Sequence, residues 1–292
     1  MSVQELPFQE LAFQEVAFDI PFGRIAGLRS GTPGAPKVLA LHGWLDNAAS
    51  FLPLAERLPA LDLVMLDLPG HGHSAHLGAG ADYNLLVTIN AVLDVADALG
   101  WERFALLGHS MGAGIASILA ASVPQRVERL VAIEALGALA EASERTAQRL
   151  RDGVAAARAL PSKKLRVFPD LAAPVRARMQ ANQLGEASAR LLVERGVSAV
   201  QGGYVWSSDP RLTLPALQRM TESQVRALIS AIGCPTRVIF ADPAQTYLPE
   251  PLRSERAALL PQGELIVLPG IHHLHMETPA EVAGAIGGFF DC

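Results

Sequence analysis

The stretch Leu106–Gly114 reads LLGHSMGAG and places Ser110 between two glycines in an otherwise apolar run. The apolar letters FALL precede it, and the small-residue segment MGAGIASILA continues from it. A G-x-S-x-G element between a buried strand and a helix predicts a nucleophile elbow, the sharp turn that lifts a serine hydroxyl above a sheet. The alternative interpretation is a Gly/Ser turn with no catalytic role. Catalytic partner residues elsewhere in the chain would distinguish the nucleophile elbow from the non-catalytic turn.

Six short apolar runs surround this element and predict the strands of a parallel sheet. They are KVLALHG, LDLVMLDLPG, RFALLGHS, RLVAIEALG, TRVIFAD and ELIVLPG. Because they lack polar alternation, they are typical of strands buried on both faces. Helical stretches separate them, and this alternation predicts an open α/β sheet, preceded by an edge strand within residues 8–18.

Ligands of such sheets bind beyond the carboxyl ends of the strands. Nearly every predicted strand brings a polar or titratable side chain to that edge. These residues are His42, Asp67, Ser110, Glu134, Asp242 and His272. We therefore expect the functional site at this edge of the sheet.

The stretch 137–211 breaks the alternation with a mostly helical pattern. We expect residues 1–136 and 212–292 to form the α/β core, with residues 137–211 inserted as a helical lid. The lid holds 12 of the 24 Lys and Arg and 7 of the 29 Asp and Glu, so its net charge is +5 in a chain of net charge -5. These charges either lie on solvated helix faces or line the mouth of a pocket and attract anionic substrates.

Composition excludes several classes of protein. The 292 residues are 50% hydrophobic, enough for one large core or a core with an inserted subdomain. The net charge of -5 gives no indication of nucleic-acid binding. Two cysteines, Cys234 and Cys292, do not make a disulfide framework and favour a reducing compartment.

The first residues lack a signal-peptide pattern, and no apolar run reaches the ~20 residues of a membrane span. We expect a cytoplasmic protein.

A serine hydroxyl needs a base to take its proton. The stretch GIHHLHMETP, after the last predicted strand, supplies His272, His273 and His275. His272 follows the strand end most closely, where a loop can bring it to Ser110, so we expect it to be the base. Three clustered histidines are also compatible with zinc, but no carboxylate or cysteine set with ligand spacing accompanies them. We expect no metal, and packing or pocket-lining roles for His273 and His275.

The motifs LHGWLDNAASF, DLPGHGHS, GHSMG and GIHHLHMETP occur in an order that resembles the α/β-hydrolase superfamily over essentially the whole chain. HGWLDNA, LLVERG and GGYVWSSDPRL are most similar to its serine hydrolase-like branch. The resemblance implies an α/β-hydrolase fold, with a mostly parallel central sheet, helices on both faces and a helical lid. In the family's C-terminal motif the catalytic histidine precedes a proline by seven positions, which leads from Pro279 to His272. The resemblance also implies an oxyanion hole made by the backbone N–H groups of Trp44 and Met111.

The acid that orients the histidine departs from the family's common pattern. Most relatives place it a few residues after the strand TRVIF, near Ala244 here, and Asp242 comes too early. The other known location is the end of the strand after the nucleophile helix, where Glu134 stands. We favour Glu134 and keep Asp242 as the alternative. Asp209 is a lesser candidate that fits a turn or helix start better.

Four residues near the predicted oxyanion loop are expected to support it. His42 is expected to hold the loop by hydrogen bonding, and His71 to organise the loop of the DLPGHGHS motif. Asp46 and Asn47 are expected to cap the helix that follows. None of the four is expected to react with substrate.

Together these residues predict a cofactor-free serine hydrolase that cleaves small-molecule esters or thioesters through an acyl-enzyme. A nucleophilic serine argues against the epoxide hydrolase and haloalkane dehalogenase branches, which use an aspartate at that position. Two alternatives stay open. One is a carbon–carbon bond hydrolase that uses the same triad, and the other is a non-catalytic binding protein of the same fold.

Overall fold

The computed structural model describes residues 13–32, 34–58, 60–160 and 166–291. The strands within these ranges are β1 Gln14–Ile20, β2 Gly23–Gly31, β3 Lys37–Leu41, β4 Asp62–Leu66, β5 Phe104–His109, β6 Val127–Ile133, β7 Val197–Val200, β8 Gly203–Trp206, β9 Thr236–Asp242 and β10 Gly263–Pro269. The α-helices there are α1 Leu52–Ala55, α2 Leu85–Ala98, α3 Met111–Ser122, α4 Thr146–Ala159, α5 Ala172–Asn182, α6 Glu186–Gly196, α7 Glu222–Ser230, α8 Leu252–Ala257, α9 Leu274–Glu277 and α10 Pro279–Ile286. Short 3₁₀ helices cover Ala48–Phe51, Ser143–Arg145 and Pro210–Thr213.

Eight of the described strands form one sheet in the order β1-β2-β4-β3-β5-β6-β9-β10. Strand β2 runs antiparallel to both β1 and β4, and every neighbouring pair from β4 to β10 is parallel. The carboxyl ends of β3, β5, β6, β9 and β10 therefore meet at one edge, as expected of an open α/β sheet. The predicted mostly parallel sheet is confirmed.

The apolar side chains of the central strands divide between two cores, one on each face of the sheet. Leu39 and Leu106 pack with apolar residues of α2 and α3 on one face. Val38 and Leu107 pack with residues of α1 and α10 on the other face. Because both faces are covered, the strands carry continuous apolar runs without polar alternation.

Two features differ from the sequence-based expectation. The hairpin of β7 and β8 was not predicted, because strands of four residues carry too little periodicity to distinguish them from loops. The predicted edge strand is present as β1, whose described part begins at Gln14, while residues 8–12 lie outside the described residues. No helix in the described ranges is long and apolar enough to cross a membrane.

The stretch 137–211 contains α4 to α6 and the hairpin, and the rest of the fold holds it by buried polar contacts. Arg195 on α6 is 7% exposed and lies 2.9 Å, Nη2 to Oδ2, from Asp67, which is 0% exposed. The amide of Asn47 donates to the carbonyl oxygen of Leu192 at 2.8 Å. The division into core and lid stays a prediction.

Six of the 12 basic residues in this stretch form ion pairs within the described part of the chain. The arginines that pair with carboxylates are Arg145, Arg149, Arg178, Arg190, Arg195 and Arg211. Two of these arginines reach carboxylates outside the stretch, because Arg178 pairs with Asp46 and Arg195 pairs with both Asp67 and Glu15. These paired arginines therefore contribute to contacts within the protein.

We predict that Arg195→Leu lowers the free energy of unfolding by about 3 kcal/mol, because it leaves Asp67 buried without its cation. The matched control is Arg190→Leu on the same helix, whose side chain is 48% exposed and pairs with Glu186. That change should cost about 1 kcal/mol or less. Urea denaturation of the three proteins measures both values. Equal losses for the two variants would contradict a structural role for the buried pair.

Candidate active site

Ser110 occupies a sharp turn between β5 and α3. Its backbone has φ 52° and ψ -116°, a conformation that residues other than glycine rarely adopt. A Cβ at Gly112 would lie 1.9 Å from the carbonyl oxygen of Leu41, and one at Gly108 would lie 2.5 Å from Cα of Ala113. Only glycine fits at these two positions. The strand, turn and helix predicted around Ser110 are therefore present.

Ser110, His272 and Glu134 form a continuous chain of side-chain contacts. Nε2 of His272 lies 2.9 Å from Oγ of Ser110, and Nδ1 lies 3.0 Å from Oε2 of Glu134. The other oxygen of Glu134 accepts from the backbone N–H of Ala241. Glu134 is 2% exposed, so its carboxylate acts in a site sheltered from water. This geometry allows Ser110 to donate its proton to His272 while Glu134 holds the opposite ring nitrogen.

The two other candidate acids lie elsewhere. The side chain of Asp242 is exposed and makes no hydrogen bond to any described residue, although its carbonyl oxygen accepts from Gly270 N–H at 3.2 Å. Asp209 caps a 3₁₀ helix by accepting from Arg211 N–H at 2.9 Å, and it also accepts from the hydroxyl of Tyr83 at 2.8 Å. Of the three carboxylates considered from sequence, the structure brings Glu134 to the histidine.

The two backbone groups expected to form an oxyanion hole are available. Met111 is the first residue of α3, where helix N–H groups have no partner within the helix. The N–H groups of Met111 and Trp44 donate to no described residue. His42 supports the Trp44 loop as predicted. Its Nδ1 donates to the Gly43 carbonyl at 2.7 Å, and its Nε2 accepts from Leu68 N–H at 2.9 Å.

Sequence reasoning missed Tyr247. Its hydroxyl lies 3.1 Å from Nδ1 and 3.5 Å from Nε2 of His272. Although 44% of the residue is exposed, the hydroxyl end lies against the site. Burial there and the charge of Glu134 raise the pKa of Tyr247, so the phenol keeps its proton at neutral pH. The only signal in the sequence is an aromatic hydroxyl in the loop where the family's acid was expected.

The expected role of Asp46 as a helix cap is wrong. Asn47 caps the 3₁₀ helix by accepting from Ala49 N–H at 3.1 Å. Asp46 turns inward instead, with Oδ2 at 3.1 Å from Nε2 of His273 and Oδ1 at 3.3 Å from Nη1 of Arg178. Burial alone would raise the pKa of Asp46, but these two partners hold it well below its ordinary value. A buried carboxylate is stabilised more by a charged partner than by a helix end.

The three C-terminal histidines do not face a common point. His272 faces Ser110, His273 faces Asp46, and the ring of His275 packs 4.0 Å from that of His109. His273 and His275 are buried, in accord with the packing roles expected of them. Burial lowers the pKa of His275 and of His109 well below the ordinary value, so both rings are neutral.

A different group of residues has a composition suited to a metal ion. The ligating atoms of Asp46, His109 and His273 lie within 4.8 Å of one another, and all three residues are buried. His109 was not considered as a ligand from sequence. It directly precedes Ser110 and was interpreted only as part of the elbow.

Comparisons with known proteins agree with the fold described above. The model of a family described as alpha/beta hydrolase fold matches residues 36–190. A serine hydrolase-like protein of Dictyostelium discoideum is 33% identical over 257 residues, which are 83% of this chain and 71% of that protein.

Two solved structures share the fold along almost the whole chain. One is a hypothetical protein from Pseudomonas aeruginosa PAO1, with a TM-score of 0.90 and 39% identity over 95% of this chain and 99% of that one. The other is a thioesterase domain from the curacin biosynthetic pathway, with a TM-score of 0.80 and 27% identity over 94% of this chain and 99% of that one.

We predict that the protein loses stability as the pH falls from about 6.5 to about 4. Burial lowers the pKa of His42 to about 4 and that of His71 to about 3. In that range the unfolded chain binds protons that the folded chain does not, so each fall in pH favours unfolding. His42 alone contributes about 3 kcal/mol of this loss. Melting temperatures from pH 7 to pH 4.5 measure it.

The informative variant is His42→Gln, because a glutamine amide can retain one donor and one acceptor without titrating. It should lose less stability on acidification than the wild type. His73→Gln, at an exposed position, is the control and should follow the wild type. If His42→Gln shows the same acid sensitivity as the wild type, the buried neutral ring of His42 is not its source.

Proposed function

This chain belongs to the α/β-hydrolase superfamily, in its serine hydrolase-like branch, and we propose that it is a serine hydrolase that cleaves carboxylic ester or thioester bonds through an acyl-enzyme. The observation that carries the proposal is the chain of contacts from Ser110 through His272 to Glu134, at 2.9 Å and 3.0 Å. A structural Gly/Ser turn would need neither the histidine nor the buried carboxylate.

In the proposed acylation, Oγ of Ser110 attacks the carbonyl carbon while its proton passes to Nε2 of His272. Glu134 stabilises the imidazolium through the Nδ1 proton. The N–H groups of Met111 and Trp44 donate to the oxyanion, and loss of one such donor typically raises the barrier by about 2.7–4 kcal/mol. The tetrahedral intermediate collapses, and the leaving alcohol or thiol takes the proton from Nε2.

Deacylation repeats the same steps with water in place of the leaving group. His272 takes a proton from water at Nε2, the resulting hydroxide attacks the acyl carbon, and Ser110 recovers its proton. The thioesterase domain that shares the fold at 27% identity supports thioesters as one substrate class.

The proposal gives Tyr247 a part in both half-reactions. Its hydroxyl lies 3.5 Å from Nε2 of His272, the atom that gives a proton to the leaving oxygen and takes one from the attacking water. A protonated phenol at that position donates a hydrogen bond to either oxygen. The same side chain packs edge-on against the ring of His272, with ring centroids 5.9 Å apart, and so helps to orient the base.

Glu134→Gln tests the acid and should lower kcat by about 10²–10⁴, because the amide cannot stabilise the imidazolium. Asp242→Asn is the matched control and should change kcat less than about threefold, since its side chain is exposed at the end of β9. Initial rates on p-nitrophenyl and acyl thioester substrates measure both. The reverse ranking would move the acid to Asp242. Cleavage of a diketone without any ester or thioester hydrolysis would favour the carbon–carbon bond hydrolase.

Tyr247→Phe should slow esters of alkyl alcohols more than nitrophenyl esters, because a poor leaving group depends more on a hydrogen-bond donor. We expect a loss of about tenfold for alkyl esters and less for nitrophenyl esters, with KM changed little. The measurement is the slope of log kcat/KM against the pKa of the leaving alcohol, for the variant and the wild type. An identical slope would leave the tyrosine with only a packing role.

A further inference from the structure

Three buried side chains that the proposed reaction does not use converge behind the active site. Asp46 lies in the loop after β3, His109 ends β5, and His273 lies in the loop after β10. Their exposed fractions are 3%, 0% and 2%. Oδ2 of Asp46 is 3.1 Å from Nε2 of His273 and 3.9 Å from Nδ1 of His109.

The contact between His109 and Asp46 joins two hydrogen-bond acceptors. Nε2 of His109 lies 2.9 Å from the carbonyl oxygen of His272 and must donate to it, so the neutral ring presents a lone pair at Nδ1. That nitrogen has no hydrogen-bond partner among the described residues. A lone pair that faces a carboxylate oxygen in a buried pocket is unfavourable unless something positive lies between them.

We propose that Asp46, His109 and His273 bind one divalent transition-metal ion of the zinc type. Two imidazole nitrogens and one carboxylate oxygen are the donor set that Zn²⁺ and Co²⁺ accept at about 2.0–2.2 Å. Donor atoms of a tetrahedral site with such bonds lie about 3.4 Å apart. The two separations of 3.1 Å and 3.9 Å from Asp46 Oδ2 bracket that value. On binding, the Nε2 proton of His273 moves to Nδ1, which has no partner in the described part of the chain.

The surroundings orient two of the three donor residues, His109 and Asp46, in the way that metal sites require. The carbonyl oxygen of His272 fixes the ring of His109 and its tautomer, as second-shell acceptors of ligating histidines do. Arg178 lies 3.3 Å from Oδ1 of Asp46 and leaves Oδ2 to the ion. A Cβ at Gly43 would lie 2.9 Å from that Oδ2 and 3.0 Å from Nδ1 of His109, so the glycine keeps the space beside the donors open. A water molecule can occupy the fourth position.

The ion would join the two segments that carry the proposed nucleophile and base. His109 directly precedes Ser110, and His273 directly follows His272. The site touches neither substrate nor the reacting atoms, so its role is structural. It does not depend on the proposed hydrolase activity, and its test needs no substrate.

The test is titration of the full-length chain with Co²⁺ after dialysis against a chelator. We expect one Co²⁺ per chain, with the visible absorption of a four-coordinate ion, and displacement by Zn²⁺. His273→Gln should weaken binding by about 100-fold or more, since it removes a ligand. His272→Gln is the matched control, the adjacent histidine that faces Ser110 instead, and should bind as the wild type does.

Gly43→Ala offers a second variant that removes no donor but fills the space beside them, and it should also weaken binding. Circular dichroism of each variant checks that a loss of binding is not a loss of folding. The proposal is overturned if the wild type binds no Co²⁺, since the space between the three side chains is then not a metal site. It is also overturned if His272→Gln loses the ion while His273→Gln keeps it, since the ion then sits at the catalytic histidine.

Discussion

The turn at Ser110 is the constraint on which the rest of the site depends. Strand β5 lies beside β3, and the helix that follows Ser110 begins so close to β3 that a Cβ at Gly112 would lie 1.9 Å from the Leu41 carbonyl oxygen. Such a close approach forces the backbone of Ser110 to φ 52°. The same approach places the start of α3 against the backbone of His42, which leads into the loop that carries Trp44. The proposed nucleophile and oxyanion donors are thus positioned by the same backbone packing.

A group of buried polar side chains holds the loops beside this turn in place. His42 links the Trp44 loop to the loop after β4, and Asp67 in that second loop accepts from the backbone N–H of Ala48 at 2.8 Å. Arg195 extends this group into the helices of residues 137–211. Satisfied polar contacts of this kind fix a single arrangement of loops, whereas removal of one partner is costly because the others stay buried. Loop positions at the strand ends are therefore set by directional contacts as well as by apolar packing.

The sheet and the elbow could be predicted from sequence because their signals are local. Continuous apolar runs indicate strands buried on both faces, and the glycines around Ser110 indicate the close approach that the structure contains. Glu134 and His272 were assigned from their positions at strand ends, and the structure brings both to Ser110. That assignment used the rule that parallel strands end at a common edge, together with the motif positions implied by the resemblance to the α/β-hydrolase superfamily.

Other features depend on contacts between distant segments. Asp46 was expected to cap a helix, because its neighbours suggest a helix start, yet its partner His273 lies 227 residues further along the chain. Tyr247 lies in a loop, and a loop has no sequence periodicity from which the position of its side chains could be predicted. The placement of the arginines of residues 137–211 stayed open from sequence, because the partners of Arg178 and Arg195 lie in distant parts of the chain. Side-chain pairing of this kind becomes visible only when the fold is known.

The central claim is that Ser110 is an activated nucleophile. Mass spectrometry of the protein after treatment with a fluorophosphonate tests it most directly, because the reagent reacts with activated serines and requires no knowledge of the substrate. The account predicts one phosphonyl group per chain, located by peptide mapping on Ser110, and no adduct in Ser110→Ala. An unmodified wild-type protein, or an adduct on another residue, would contradict it.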